Sequence, residues 1–499
     1  MADTPPDPPN ALDPSPDQIR GMVSAAMEWM AAYHESLPGL PVAPRTSSAE
    51  LRARLAEPLP ARGRDFDELL DVFRDVVVPG SRHNGHPRFF GYVSAPGTAV
   101  ASIADLLAST LNANLTAWRS APAAVELEHL AIRWIVELLG LDPGTGGLFT
   151  SGGSMATLTA LAAARHRHCG PAVAEEGAHA YPGELRIYAS TEAHHSVQKA
   201  AGLLGIGRAN VRTVPVDDQF RMDPAALLRA ISEDRAAGAE PFCVVATAGS
   251  VVTGAVDPLE AIAAIARRHR LWLHVDACYG GFARLAPSVR PLFDGLAEAD
   301  SVALDPHKWL YLPADCGCLL YREPEATRGA FTLDADYTRV MQAGPAEAYA
   351  FWDYGPELSR RFRALKVWMV LAYAGSDAVS AAIEGNLDCA RHLATLVEQS
   401  DDLELLAPVE LSIFCFRYLP PEFRDRRRTE TEERTLDRLN ERIMTALQYG
   451  GSSYLSNATV NGRFALRGCV LNYRTTRTDM QTLLDDVRRA ARHVAGSAG

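Results

Sequence analysis

Apolar positions along residues 18–35, 66–77, 99–114 and 123–139 are spaced as in helices, so the first third of the chain is expected to be helical. From residue 147 the texture changes. Short β-rich runs, LRIYAS (185–190), FCVVATA (242–248), LWLHVDA (271–277), SVALD (301–305) and GCLLY (317–321), alternate with Ala- and Leu-rich helical stretches. That alternation predicts an α/β layer around a largely parallel sheet. Amphipathic segments over 361–373 and 377–400 lead into a smaller α+β unit. The expected plan is a flexible leader over 1–16, an N-terminal helical arm over 17–98, a large α/β domain over 99–385 and a small C-terminal α+β domain over 386–499, with no internal repeat.

Composition narrows the function classes. A chain of 499 residues with 47% hydrophobic and 22% charged residues is an ordinary globular mixture. Its net charge of −12 argues against a general binder of nucleic acid or anionic membrane and favours small-molecule chemistry. The acidic, proline-rich start lacks the basic and apolar regions of a secretory signal, and no apolar run is long enough to span a bilayer. Eight scattered cysteines show no disulfide-scaffold spacing. A cytoplasmic setting is the expectation. The mixed-sign run FRDRRRTETEERT (423–435) reads as a solvated loop or helix start.

Four places carry candidate chemistry. GLFTSGGSMATL begins a strand, a Gly-Gly turn and a helix start near Ser154, which suits either an anion cradle or a plain capped turn. Gly152, Ser154 and Ala156 approximate a serine-hydrolase elbow only weakly, and Gly144 and Gly146 lack the third glycine of a dinucleotide loop. In WLHVDACYGG, Asp276 ends a very apolar strand, as a ligand partner or a turn cap. His194 and His195 follow another strand without a zinc set around them, which favours an aromatic wall for a flat ligand. His166 and His168 read as a favourable helix C-terminus. Lys308, in SVALDPHKWLYLP, is expected to have its pKa lowered by apolar surroundings, leaving free amine for Schiff-base formation; a snorkelling surface lysine and a phosphate-binding cation are the alternatives. Anion cradle, ring contact, carboxylate and amine together match one cofactor, pyridoxal 5′-phosphate.

HVDACYGG followed by DPHKW, and preceded by TSGGSMATL and EAHHSV, resembles the group II pyridoxal-phosphate-dependent amino acid decarboxylases, nearest the aromatic-L-amino-acid branch. The likeness extends to HPRFFGYVSAPG (86–97), AWRSAPAAVELEHL (117–130) and LSRRFRALKVW (358–368). It implies a fold-type I enzyme and decarboxylation of an amino acid to its amine. Lys308 would hold the cofactor covalently, Asp276 would pair with the ring nitrogen, His194 would stack on the ring and Ala277 would back its other face. Gly153 and Ser154 would bind the phosphate, His307 would touch the phosphate or a mobile loop, and Ser250 would contact the cofactor. A homodimer with shared active sites is implied as well.

Departures from the family pattern matter. Asp305 stands where asparagine is usual near the phosphate, Met155 where glutamate is frequent and Cys278 where alanine is common. The resemblance implies a loop tyrosine before LSRRFR that protonates the product carbon; a gap-free count gives Phe351, with Tyr349 and Tyr354 nearby. Phenylalanine there accompanies an oxygen-dependent route to an aldehyde, so amine and aldehyde products both stay open. Ala95, Asn114 and Thr116 fall where bulkier groups line an aromatic pocket, which implies either a more polar substrate or a rearranged aromatic site. Arg467 is a candidate carboxylate or phosphate ligand or an inter-domain ion pair. A catalytically silent, ligand-binding homologue is the remaining alternative.

Overall fold

A computed structural model describes residues 12–332, 349–424 and 426–496. Ser15 opens the first helix, Pro16–Ser36, through a capping box with Gln18, satisfying two of the donors that a helix start leaves free. The 66–77 segment is helical in two parts, α over Phe66–Val72 and π over Phe73–Val77. Helices Ala99–Leu111 and Pro122–Leu138 precede the sheet, the second with proline in its first turn.

The large sheet contains β1 (Gly146–Thr150), β2 (Leu185–Ser190), β3 (Val211–Val214), β4 (Glu240–Thr247), β5 (Trp272–Asp276), β6 (Ser301–Leu304) and β7 (Gly317–Tyr321), in the order β1-β7-β6-β5-β4-β2-β3. Strands β3, β2, β4, β5 and β6 pair in parallel, and β7 runs antiparallel to both of its neighbours. Every residue of β5, β6 and β7 is buried. Covered on both faces, these strands read as continuous apolar runs rather than alternating ones.

A second, antiparallel sheet joins β8 (Leu403–Leu405), β9 (Ile413–Tyr418), β10 (Ser456–Val460) and β11 (Arg463–Cys469) in the order β10-β11-β9-β8. It shares a core with helices Glu430–Gly450 and Arg477–Gly496. The charge run is indeed a helix start: Thr429 caps it with Glu432, while Arg428 and the buried Arg417 both bind Glu404 and Glu433. Helix Ala364–Glu398 packs against helices of both units and breaks at Gly375 (φ 78°, ψ 159°), so the boundary expected after residue 385 falls within continuous helix.

One buried ion pair ties the helical entry to the sheet. Arg360 and Glu128 meet at 2.5 Å with side chains 1% and 0% exposed. Arg360 also donates to the carbonyls of Leu115 (3.1 Å) and Phe149 (2.9 Å), and Glu128 accepts the Phe149 N–H at 3.0 Å. The guanidinium lies 3.8 Å from the centre of the Phe351 ring. Removing one partner strands a charge in the core, which costs about 3–5 kcal/mol. Glu128→Ala should therefore lower unfolding stability by about that amount in urea titrations, whereas the double variant E128M/R360M should lose less than the sum of the single changes.

Candidate active site

The parallel strands end together, and their register decides which side chains meet. Thr247 on β4 pairs with Asp276 on β5, and Asp276 pairs with Ala303 on β6. One residue beyond β6, Asp305 leads into the short helix Pro306–Trp309 that carries His307 and Lys308. On the other side, β1 turns through Ser151 and Gly152 into helix Gly153–Cys169. These strand and helix ends surround a cavity of about 620 Å³ lined by Gly153, Ser154, His194, Thr247, Asp276, Cys278, Asp305, His307 and Lys308. Tyr92, Ser456 and Arg467 close it from the N-terminal arm and the second sheet.

The cradle requires glycine. A Cβ at Gly153 would collide with Cys278 Sγ and lie 3.1 Å from Asp305 Oδ2. Backbone N–H groups at the start of the 17-residue helix face the cavity with its positive dipole end, an arrangement that binds anions. Asp276, 7% exposed, accepts the Cys278 N–H at 3.2 Å. The imidazole of His194 accepts the Ser196 N–H at Nδ1 (3.2 Å), which leaves the neutral ring's proton on Nε2. Burial lowers its pKa, against the opposing charge of Asp276, and so favours the uncharged ring. The Nδ1–H of His307 donates to the Cys316 carbonyl at 2.7 Å.

The chain has three lysines. Lys199 is exposed, and Lys366 is buried with its ammonium held by Asp105 (3.1 Å) and the Pro313 carbonyl (2.9 Å). Only Lys308 reaches the cavity. Its environment corrects the expectation of a depressed pKa. Burial is the largest single influence and pulls the value down, but the Asp305 carboxylate 2.9 Å away, with smaller contributions from Cys278 and Asp276, raises it on balance above the ordinary lysine range.

Two expected cofactor contacts, Ala277 and Ser250, fall outside the cavity wall. Ala277 is fully buried behind Asp276 and does not line the cavity. Ser250 turns its hydroxyl to Thr253 Oγ1 (2.9 Å) and the Thr253 N–H (3.3 Å), closing its own turn; Thr247 lines the wall instead. The sequence signal for Thr247 was its place at a strand end beside Asp276. Arg467 is no inter-domain ion pair: its guanidinium donates to the carbonyls of Tyr92 (2.5 Å) and Val251 (2.6 Å).

The Tyr349–Tyr354 group lies away from this chain's own cavity. Phe351 is completely buried, and Tyr349 stacks on Tyr354 (5.1 Å) and contacts Phe351 edge-on (5.0 Å). Their backbone is bonded to residues 116–118, through Phe351 N–H to Thr116 O and Trp118 N–H to Tyr349 O. Asn114 accepts the Arg360 N–H at 2.9 Å. Neither this aromatic group nor Ala95, Asn114 and Thr116 lines the cavity. Asn114, Thr116 and Phe351 belong to the framework around Arg360, and Ala95 packs against the main core.

Three atoms in the cavity wall are buried without a partner: Thr247 Oγ1, Asp305 Oδ1 and Arg467 Nε. Buried polar atoms are seldom left unmatched, so a polar ligand is called for. An anion cradle, a neutral imidazole face, a strand-end carboxylate and one amine define a site for a phosphorylated aromatic aldehyde. The family described as the pyridoxal-dependent decarboxylase conserved domain matches residues 49–419. The chain is 33% identical over 484 residues to an aromatic-L-amino-acid decarboxylase of Bacillus atrophaeus, covering 97% of this chain and 98% of that protein. It is 29% identical to a phenylacetaldehyde synthase of Arabidopsis thaliana, covering 90% and 91%. The crystal structure of Oryza sativa TDC with PLP and tryptamine superposes with a TM-score of 0.88 at 30% identity, covering 97% of this chain and 99% of that one. The chain belongs to the pyridoxal-dependent decarboxylase family; its cofactor is pyridoxal phosphate and its reaction class is amino acid decarboxylation.

Beneath the site, His274 is fully buried on β5, with Nδ1 at 2.9 Å from Ser301 Oγ and Nε2 unpartnered. Burial pushes its pKa down to about 4. Because the folded state refuses a proton that the unfolded chain accepts, this contribution is complete above the unfolded value near 6.5 and is lost as pH falls towards 4, by up to ~3 kcal/mol. His274→Gln should flatten the fall of unfolding stability over that acid window, as read by urea titration at stepped pH.

Proposed function

We propose that the chain converts an aromatic L-amino acid to its amine and carbon dioxide, with the cofactor held by Lys308, Asp276, His194, Gly153 and Ser154. The observation that carries the assignment is the placement of the one cavity lysine among the three strand ends. When bound, the cofactor supplies an electron sink for the pair released as the carboxylate departs. Asp276 is suited to hold a proton on the ring nitrogen. Its carboxylate is buried and fixed by the Cys278 N–H. The neutral His194 ring offers a flat face to stack on, with Nε2–H free for a substrate contact. The Gly153–Ser154 helix start would hold the phosphate and so fix the ring's orientation. Lys308 would hold the cofactor's aldehyde carbon, and Asp305, 2.9 Å from Nζ, is placed to hold the free amine as an ammonium. Val251, Val252 and Tyr92 give the cavity an apolar rim that supports an aromatic side chain.

A second reading, oxidative formation of an aldehyde, is favoured by the likeness to the phenylacetaldehyde synthase and by Phe351. Burial of Phe351 weakens it. Tyr349 and Tyr354 stay candidates for the expected loop tyrosine in a shared site, and one more, Tyr337, falls in residues 333–348, outside the described residues. Lys308→Arg should abolish the borohydride-trappable yellow adduct and activity. Wild type should release amine without oxygen uptake, and one of Tyr337→Phe, Tyr349→Phe and Tyr354→Phe should cut amine release at least tenfold; oxygen consumption with aldehyde from the wild type would establish the second reading.

A homodimer is proposed as the working unit. Leu106, Leu107 and Leu111 on helix Ala99–Leu111 are 39%, 48% and 66% exposed, and Tyr373 on the helix packed against it is 79% exposed. An apolar surface of this kind is commonly covered by a second copy. No helix among the described residues is long and apolar enough to cross a membrane. All eight cysteines are unpaired and seven are buried, which supports a reducing, cytoplasmic setting. Light scattering should give twice the 54.0 kDa chain mass, and L107D/L111D should shift it towards the monomer.

A further inference from the structure

Asp305 is a carboxylate placed where an anion is to bind. It is 4% exposed; Oδ2 lies 2.9 Å from Lys308 Nζ and 3.8 Å from His307 Nε2, while Oδ1 is buried and unpartnered. Both oxygens face the glycine turn, Oδ2 at 3.1 Å from the Cβ position of Gly153 and Oδ1 at 4.0 Å from that of Gly152. A phosphate at this helix start would therefore face an acceptor-only group in a desolvated cavity, where two anions repel strongly.

The remaining charges do not remove the conflict. Lys308 supplies one positive charge, already engaged by Asp305. His307 donates Nδ1–H to the Cys316 carbonyl and its Nε2, 3.8 Å from Asp305 Oδ2, is beyond hydrogen-bonding distance of that carboxylate, while Arg467 is turned to the carbonyls of Tyr92 and Val251. His194 is held by Ser196, and Asp276 adds a second carboxylate. Cys278, Cys316 and Cys318, buried around Asp305, all have thiol pKa values raised by burial and stay uncharged. A bound phosphate dianion and an ionised Asp305 would share one ammonium. A single proton between Oδ1 and a phosphate oxygen resolves this, satisfying the unpartnered atom and removing one negative charge.

We propose that Asp305 makes the phosphate subsite proton-coupled: a phosphorylated ligand enters together with one proton, shared between Asp305 Oδ1 and the phosphate. The proposal rests on the reading of the cavity as the pyridoxal phosphate site. Asp305 acts here as a positioning residue, tuning the charge state in which the cofactor is retained. A phosphate monoester loses its second proton near a pKa of about 6, so well above that pH the extra proton is drawn from solvent and binding weakens about tenfold per pH unit.

The test uses pyridoxine 5′-phosphate, which has the ring and phosphate but no aldehyde to join Lys308. Titration calorimetry of the cofactor-free full chain near pH 7, where the free probe's ring nitrogen is still protonated, in two buffers of different ionisation enthalpy, should show uptake of about one proton per site by wild type and nearly none by Asp305→Asn. Between about pH 6.5 and 7.5 the dissociation constant should rise with pH for wild type and stay level for D305N, which should also bind more tightly. Equal uptake by the two proteins, or none by wild type, overturns the proposal alone; failure of wild type to bind the probe overturns the site assignment with it. Should D305N not fold, a pH-independent affinity of the wild type is sufficient to refute the coupling.

Discussion

The pairing of Arg360 with Glu128 constrains everything built around it. A fully buried guanidinium needs partners for its charge, and here they come from separated segments: both terminal nitrogens bind Glu128 and the carbonyls of Leu115 and Phe149, and the ring of Phe351 lies against its face. Phe149 precedes by a few residues the helix start that forms the anion cradle. The pair thus sets the position of β1 relative to the helical entry and, through β1, the position of Gly153. Two stretches far apart in sequence, AWRSAPAAVELEHL and LSRRFRALKVW, contain the two halves of this one interaction.

Strand register does the remaining positioning. Because Thr247, Asp276 and Ala303 lie abreast, the residues following them reach the same rim without any long loop. Asp257 contributes from behind, accepting the Thr247 N–H at 2.8 Å and the Met222 N–H at 2.7 Å, and so pins the end of β4. A cavity assembled from strand ends is rigid on that side. The opposite wall, made by Tyr92, Ser456 and Arg467, depends on how the N-terminal arm and the second sheet meet the large one.

Much of this was legible in the sequence. The strands at 185–190, 240–247, 272–276, 301–304 and 317–321 announced themselves as apolar runs because both of their faces are covered, whereas the half-exposed edge strand β3 did not. Lys308, Asp276, His194, Gly153 and Ser154 could be read as a set because one ligand needs all of those chemistries. Direction of charge tuning was not legible. Lys308 looked isolated among apolar neighbours, yet the helical turn brings Asp305, three residues earlier, against its ammonium. Ser250 shows the opposite error: a polar side chain close to a family-like motif, but turned into its own turn. Arg467 could not have been placed from sequence, since its partners are main-chain carbonyls 375 and 216 positions away.

The scarcity of lysine has a consequence for the cofactor's aldehyde. An aldehyde condenses indiscriminately with primary amines, and most proteins of this size offer many decoys on their surface. Here, arginine carries nearly all of the basic charge, and guanidinium groups stay protonated and unreactive towards carbonyls. With Lys366 enclosed, only Lys199 competes among side chains with the productive amine. Stray cofactor therefore finds little else to modify, and coloured adduct on this chain is close to a direct count of correctly loaded centres.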